Sequence, residues 1–153
     1  MSTEISTDEL LAMVGQDLEV SEWLEITQER IDRFADATND HQFIHVDPEK
    51  AAATPFGSTI AHGFLTLSLV PYLIDQHRPR VAGTVMGLNY GLDKLRFLQP
   101  VAVGCRVRAH QRMTQATEKK PGQWLLKTRV SIEIEDQEKP ALVADQLTML
   151  IIN

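Results

Sequence analysis

The spacing of apolar residues changes character near the middle of this 153-residue chain. In the first half the spacing is helical. Thr27, Glu29, Ile31, Phe34, Ala35 and Thr38 describe an N-capped helix with one apolar face, fraying at Asn39. Asp47-Pro48 pairs an N-cap with a proline at the first helical position and opens a short helix through Ala53. Thr54-Pro55-Phe56-Gly57 breaks it. Over residues 61–75 the apolar side chains point in every direction, the pattern of a helix surrounded by protein. After that the period falls to two. Residues 84–90 and 94–98, separated by Gly91, and then 103–110, 126–135 and 143–151 read as strands. Lys120-Pro121-Gly122 and residues 136–140 supply the turns, so the last three strands form an antiparallel meander. Residues 18–24 are expected as an earlier strand, and residues 1–15 as a helical N-terminal extension.

One buried helix followed by an antiparallel sheet with one wet face implies an α+β domain in which the sheet wraps the helix. Such a sheet leaves an edge and a flank bare, and pairing two copies as a homodimer covers both. Composition supports a single domain spanning 1–153: 43% of residues are hydrophobic and 24% charged, close to the globular average. A net charge of -6 argues against nucleic acid and anionic membranes as partners. Residues 51–74 lack Asp, Glu, Lys and Arg, but Pro55, Gly57, His62, Gly63 and Pro71 interrupt them, which favours a helix inside a protein over a membrane span. The lone Cys105 has no internal disulfide partner, and the absence of a basic, then apolar, start points to a cytoplasmic protein.

The densest polar cluster is Asn39-Asp40-His41-Gln42-Phe43-Ile44-His45, read as a loop through Val46. A carboxylate and an imidazole brought to one point by a non-helical connection can hold a water and divide its proton transfers between them. On spacing alone the plainer account carries more weight: Asp40 caps a turn and His45 is a satisfied imidazole. A second feature is Ile60-Ala61-His62-Gly63, where the free N–H groups of a helix start could meet a developing oxyanion at Gly63. Close packing at the glycine explains it equally simply. His41, His45 and His62 invite a metal reading, but no HExxH frame or nearby Glu or Cys supports one, so no metal is expected. Lys94, Arg96, Arg106, Arg108 and Arg112 are basic positions on strands, most simply a solvated face. Lys94 and Arg96, beside a glycine turn, are the better candidates for holding phosphates.

The run from Phe34 to Asp47, followed by Pro55-Phe56-Gly57, Ile60-Ala61-His62-Gly63-Phe64-Leu65 and Asn89-Tyr90-Gly91-Leu92-Asp93-Lys94, resembles the MaoC-like dehydratases, which include the (R)-specific enoyl-CoA hydratases. The wording Asp40-His41-Gln42-Phe43-Ile44-His45 is most similar to the nodulation-protein-N subgroup, and the resemblance extends from about Leu18 to the C-terminus. It implies a hot-dog fold, usually homodimeric, with Asp40 and His45 as the catalytic pair and the Gly63 N–H binding a thioester carbonyl. Gln42 and His62 flank that site as substrate-side residues. Two departures stand out. Gln42 and Phe43 replace the family's usual Asn and Pro, and an assisting serine found in some relatives has no match at Leu69-Val70-Pro71.

The activity implied is reversible hydration of a trans-2-enoyl-CoA to an (R)-3-hydroxyacyl-CoA. No cofactor is expected beyond coenzyme A as part of the acyl-CoA substrate, with Lys94 and Arg96 near its phosphates. Two alternatives keep the fold: a hot-dog thioesterase and a non-catalytic acyl-thioester-binding protein. The intact Asp40/His45 pair weighs against the second. The lack of any acid between Ala61 and Asp75 weighs against the first.

Overall fold

A computed structural model describes residues 3–153 of the protein. The chain begins with β1 (Glu4–Ile5) and α1 (Thr7–Ala12). Ser6 and Glu9 cap α1 reciprocally, each side chain accepting the other's backbone N–H, so two amides that the helix leaves free are satisfied. Of the extension expected to be helical over 1–15, the helix occupies only Thr7–Ala12, with a strand at Glu4–Ile5 before it, while residues 1 and 2 lie outside the described residues. Strand β2 (Leu24–Glu25) leads into α2 (Gln28–Thr38), α3 (Phe43–Val46), α4 (Pro48–Ala52), α5 (Gly63–Ser68) and α6 (Val70–Asp75). The second half is β3 (Arg80–Val81), β4 (Thr84–Phe97), β5 (Arg106–Lys120), β6 (Gln123–Ile134) and β7 (Leu142–Ile152). Among the described residues no helix is long and apolar enough to cross a membrane.

The capped helices start where their sequences place them. The Thr27 hydroxyl accepts the Arg30 N–H, and the Asp47 carboxylate accepts the Lys50 N–H at 3.0 Å with Pro48 opening the turn. The helix expected over residues 61–75 differs in two respects. It is two helices, because Pro71 lacks the N–H that would continue the ladder and its ring crowds the preceding turn. Nor is it surrounded by protein. Leu65, Leu69, Leu73 and Ile74 are buried against the sheet, but Phe64 and Tyr72 on the opposite side are 65% and 60% exposed. Apolar residues all round a helix do not by themselves say that its own chain covers every side.

A five-stranded antiparallel sheet in the order β2-β5-β6-β7-β4 curls over these helices. Its inward side chains, among them Val107, Ala109, Val130, Ile132 and Leu142, meet Ile31, Leu65 and Leu73 in the main core. A second cluster of Leu10, Val81, Met113, Trp124 and Leu126 is completed by α1, with β1 and β3 paired in parallel beside it. The strand expected at 18–24 shrinks to Leu24–Glu25. Ahead of it the chain follows β5 by isolated bonds, Leu18 N–H to the Gln111 carbonyl and Ser21 N–H to that of Ala109. Gly91 does not divide β4, which absorbs its irregularity as bulges after Asn89 and Asp93, the latter with Lys94 at φ 54°. β5 starts only at Arg106, since the chain turns at Gly104 (φ 83°) and the Cys105 N–H bonds back to Ala102.

Candidate active site

Asn39 adopts the left-handed conformation (φ 60°), which ends α2 and redirects the chain at Asp40. One Asp40 carboxylate oxygen accepts the Gln42 N–H at 3.3 Å. The segment after it is not a plain loop as expected: Phe43–Val46 forms one helical turn, α3, which His45 joins by donating its N–H to the Gln42 carbonyl. That turn points His45 inward, leaving it 7% exposed. Gln28, at the start of α2, fastens it there, donating to the His45 carbonyl at 2.7 Å and accepting from the buried Thr59 hydroxyl.

The ring of His45 is held just as specifically. Its Nδ1 lies 2.7 Å from the Ile60 carbonyl, and a carbonyl only accepts, so Nδ1 carries the hydrogen and Nε2 keeps a lone pair. His62, immediately before α5 and 3% exposed, stacks on it with centroids 3.9 Å apart and planes inclined by 23°. Phe34 packs against His62 at 4.9 Å. His62 Nε2 donates to the Asp40 carbonyl at 2.9 Å, tying the end of α2 to the start of α5, while its buried Nδ1 has no partner. Burial is the main force on the His45 titration and holds its pKa below the ordinary histidine value. The Ile60 carbonyl opposes this, His62 adds to it, and the Asp40 carboxylate again opposes it. His45 is thus a neutral imidazole with a free Nε2 at neutral pH.

Polar atoms of Asp40, His45 and His62 lie within 4.8 Å of one another. Of the three histidines considered for a metal, His41 is elsewhere, 2.8 Å from Asp36 on the surface. The stacked pair does not suit an ion either. A ligand lone pair lies in its ring plane, and planes 3.9 Å apart at 23° converge only well beyond the ~2.0–2.1 Å of a zinc–nitrogen bond.

Beside the pair is a cavity of about 240 Å³ lined by His45, Ala61, Gly63, Thr66, Phe97 and Val101, among others. Gly63 opens α5, so its N–H belongs to a first turn with no intrahelical acceptor. A Cβ there would stand 3.1 Å from the Phe97 ring, so close packing and access to the backbone both favour glycine. Gln42 is exposed at the head of α3. Thr66 was not among the expected residues. The signal available was a hydroxyl within an apolar run, one turn beyond Gly63.

The basic residues divide. Arg106 pairs with Glu135, Arg108 with Glu133 and Arg112 with Asp17, so these are internally neutralised positions on the sheet. Lys94 lines a separate cavity of about 470 Å³ with Asp17, His110, Arg112, Arg129 and Asp145, not the one beside His45. The Arg96 guanidinium donates to the Leu95 carbonyl, just before the cavity wall at Phe97.

Comparison with known proteins adds to this geometry. A family model described as the MaoC like domain matches residues 9–135. The chain is 45% identical over 148 residues to nodulation protein N of Rhizobium leguminosarum bv. viciae, covering 96% of this chain and 92% of the relative. It is 46% identical over 152 residues to 3-hydroxyacyl-thioester dehydratase Z of Mycobacterium tuberculosis, covering 99% of both. Among solved structures, the (R)-hydratase from A. caviae involved in PHA biosynthesis superposes with a TM-score of 0.72 at 27% identity, covering 88% of this chain and 94% of the other. The α+β fold is the hot-dog fold expected from the sequence, a curled antiparallel sheet holding a helix.

Proposed function

The chain belongs to the MaoC-like family, and from that premise we propose that it reversibly hydrates trans-2-enoyl-CoA to (R)-3-hydroxyacyl-CoA. The observation that carries this reading is the convergence of a carboxylate, Asp40, and a neutral imidazole with a free Nε2, His45, beside a cavity edged by Gly63. A water held by both groups attacks C3 as His45 Nε2 takes one of its protons. Electron density moves to the thioester oxygen, which the Gly63 N–H receives. The dyad returns one proton to C2, so the reaction consumes only water and requires no metal, nucleotide or flavin; coenzyme A arrives as part of the substrate. Burial keeps the His45 ring neutral, His62 stacked on it holds it in place, and Gln42 lies beside Asp40, whose carboxylate accepts its N–H. The (R) stereochemistry is supported by the likeness to the (R)-hydratase, and the thioester class by the 3-hydroxyacyl-thioester dehydratase, which is named for the reverse direction.

The working form proposed is a homodimer. Strand β4 is a sheet edge carrying exposed Val85, Met86, Leu88, Tyr90, Leu92 and Phe97, continuous in character with exposed Phe64 and Tyr72 on the helices. Bare apolar edges of this length are covered in soluble proteins, here by a second copy. The phosphates of coenzyme A are assigned to Arg96, and more remotely to Lys94, neither of which is paired with a carboxylate within 4 Å among the described residues.

One assay tests the activity. Loss of crotonyl-CoA absorbance without free thiol is expected. Thiol release without hydration would instead indicate a thioesterase. Binding with neither reaction would indicate an acyl-thioester carrier.

A further inference from the structure

Hydroxyls inside helices usually bond back to the carbonyl one turn earlier, and this protein follows the rule elsewhere. Thr38 donates to Phe34 and Ser68 to Phe64, each at 2.7 Å. Thr66 does not. It is 3% exposed, its Oγ1 is buried with no partner, and it lines the cavity it shares with His45 and Gly63. A buried hydroxyl without a bond destabilises a fold unless something else uses it. Its place in α5 suggests what. Residues three apart share a helix face, and side chains lean towards the preceding turn, so Thr66 leans towards the Gly63 end of the helix.

We propose that Thr66 is a second donor to the thioester carbonyl oxygen, its hydroxyl acting beside the Gly63 N–H. The proposal rests on the hydratase reading and adds a catalytic residue to it. The hydroxyl is a neutral donor that keeps its proton at every pH where the enzyme is folded. It contributes when charge reaches the oxygen, which is a stronger interaction in the transition state than in the ground state. The orphaned hydroxyl is then a cost of the free protein that substrate removes.

The test uses the whole protein with Thr66→Val, which keeps the shape and deletes the donor, and Thr66→Ser, which restores it. Thr66→Val should lower kcat for crotonyl-CoA by about 10²-fold or more, with KM little changed. Thr66→Ser should stay within a few-fold of the parent. Because an unpaired buried hydroxyl is removed, Thr66→Val should melt no lower than the parent, whereas a purely structural threonine would cost Tm. The acid limb of the pH profile, set by His45, should not move. Acetoacetyl-CoA, which is not turned over by hydration, gives a second readout: the parent should raise its enolate absorbance, and so should Thr66→Ser, but not Thr66→Val. Parent-like kcat or enolate absorbance in Thr66→Val overturns the assignment while leaving the hydratase intact. A parent that raises the enolate yet fails to hydrate crotonyl-CoA overturns the hydratase reading and keeps the donor. A parent that does neither overturns both.

Discussion

What separates Asp40 from His45 is their surroundings: the carboxylate is exposed, the imidazole buried with one nitrogen committed to a carbonyl. Asp40→Asn and His45→Gln should each lower kcat about 10²–10⁴-fold, the scale of general acid–base catalysis. In the proposed mechanism both hold one water, so the double variant should lose far less than the product of the two, measurable by steady-state hydration. His41→Gln, out at Asp36, should leave the rate near that of the parent. His45 must be neutral to take a proton, and burial lowers its pKa. The acid limb of kcat/KM should therefore fall below the ordinary histidine value near 6.5. Stability has the same sign. The unfolded chain binds a proton at His45 more readily than the folded one, so the contribution is complete above about pH 6.5 and is lost as pH falls from there towards the folded pKa. Urea denaturation of parent and His45→Gln across that window should show the parent with the steeper decline. Arg96→Ala should raise KM for crotonyl-CoA and spare kcat, since the phosphate contact proposed for it is remote from the reacting carbons.

Elements show how local a structural signal must be to be readable in one sequence. Gly122 turns β5 into β6 at φ 75°, and a Cβ there would collide with the Ile152 carbonyl. Gly122→Ala should cost at least about 1–2 kcal/mol in chemical denaturation, the ordinary penalty of a left-handed L-residue. That turn was legible, as were the caps at Thr27 and Asp47-Pro48, because each depends on a few adjacent residues. The alternation from Leu126 placed β6 for the same reason. Three features depend on distant partners and were not legible. β4 crosses Gly91 because β7 runs beside it throughout. The polar half of β5 is a strand because β6 pairs with it. Residues 18–23 alternate suitably, yet make only isolated bonds to β5. At the site, the Asp40–His45 spacing and the Ala-His-Gly start of α5 were visible. The stacking of His62 and the Gln28 brace were not, since each is a contact between segments, and the unpaired Thr66 hydroxyl was not, since only the folded surroundings show that nothing bonds it.

At the scale of the whole molecule the unanswered surface is β4 with the outer side of α5 and α6. Light scattering at micromolar concentration should give about twice 17.2 kDa. Leu88→Arg or Tyr90→Asp, placed on that edge where Tyr90 is 62% exposed, should shift the mass towards one chain and make Tm rise with protein concentration less steeply than in the parent. The strand order carries a consequence for biosynthesis. β4's neighbour in the sheet is β7, and the ribosome makes residues 98–141 between the two. Throughout that interval residues 84–97, bearing Val85, Met86, Leu88, Tyr90, Leu92 and Phe97, have no β7 to pair with. Every growing chain therefore passes through a state that presents this apolar segment unpaired to its neighbours on the same message, and it is in this interval that a chaperone would be needed most.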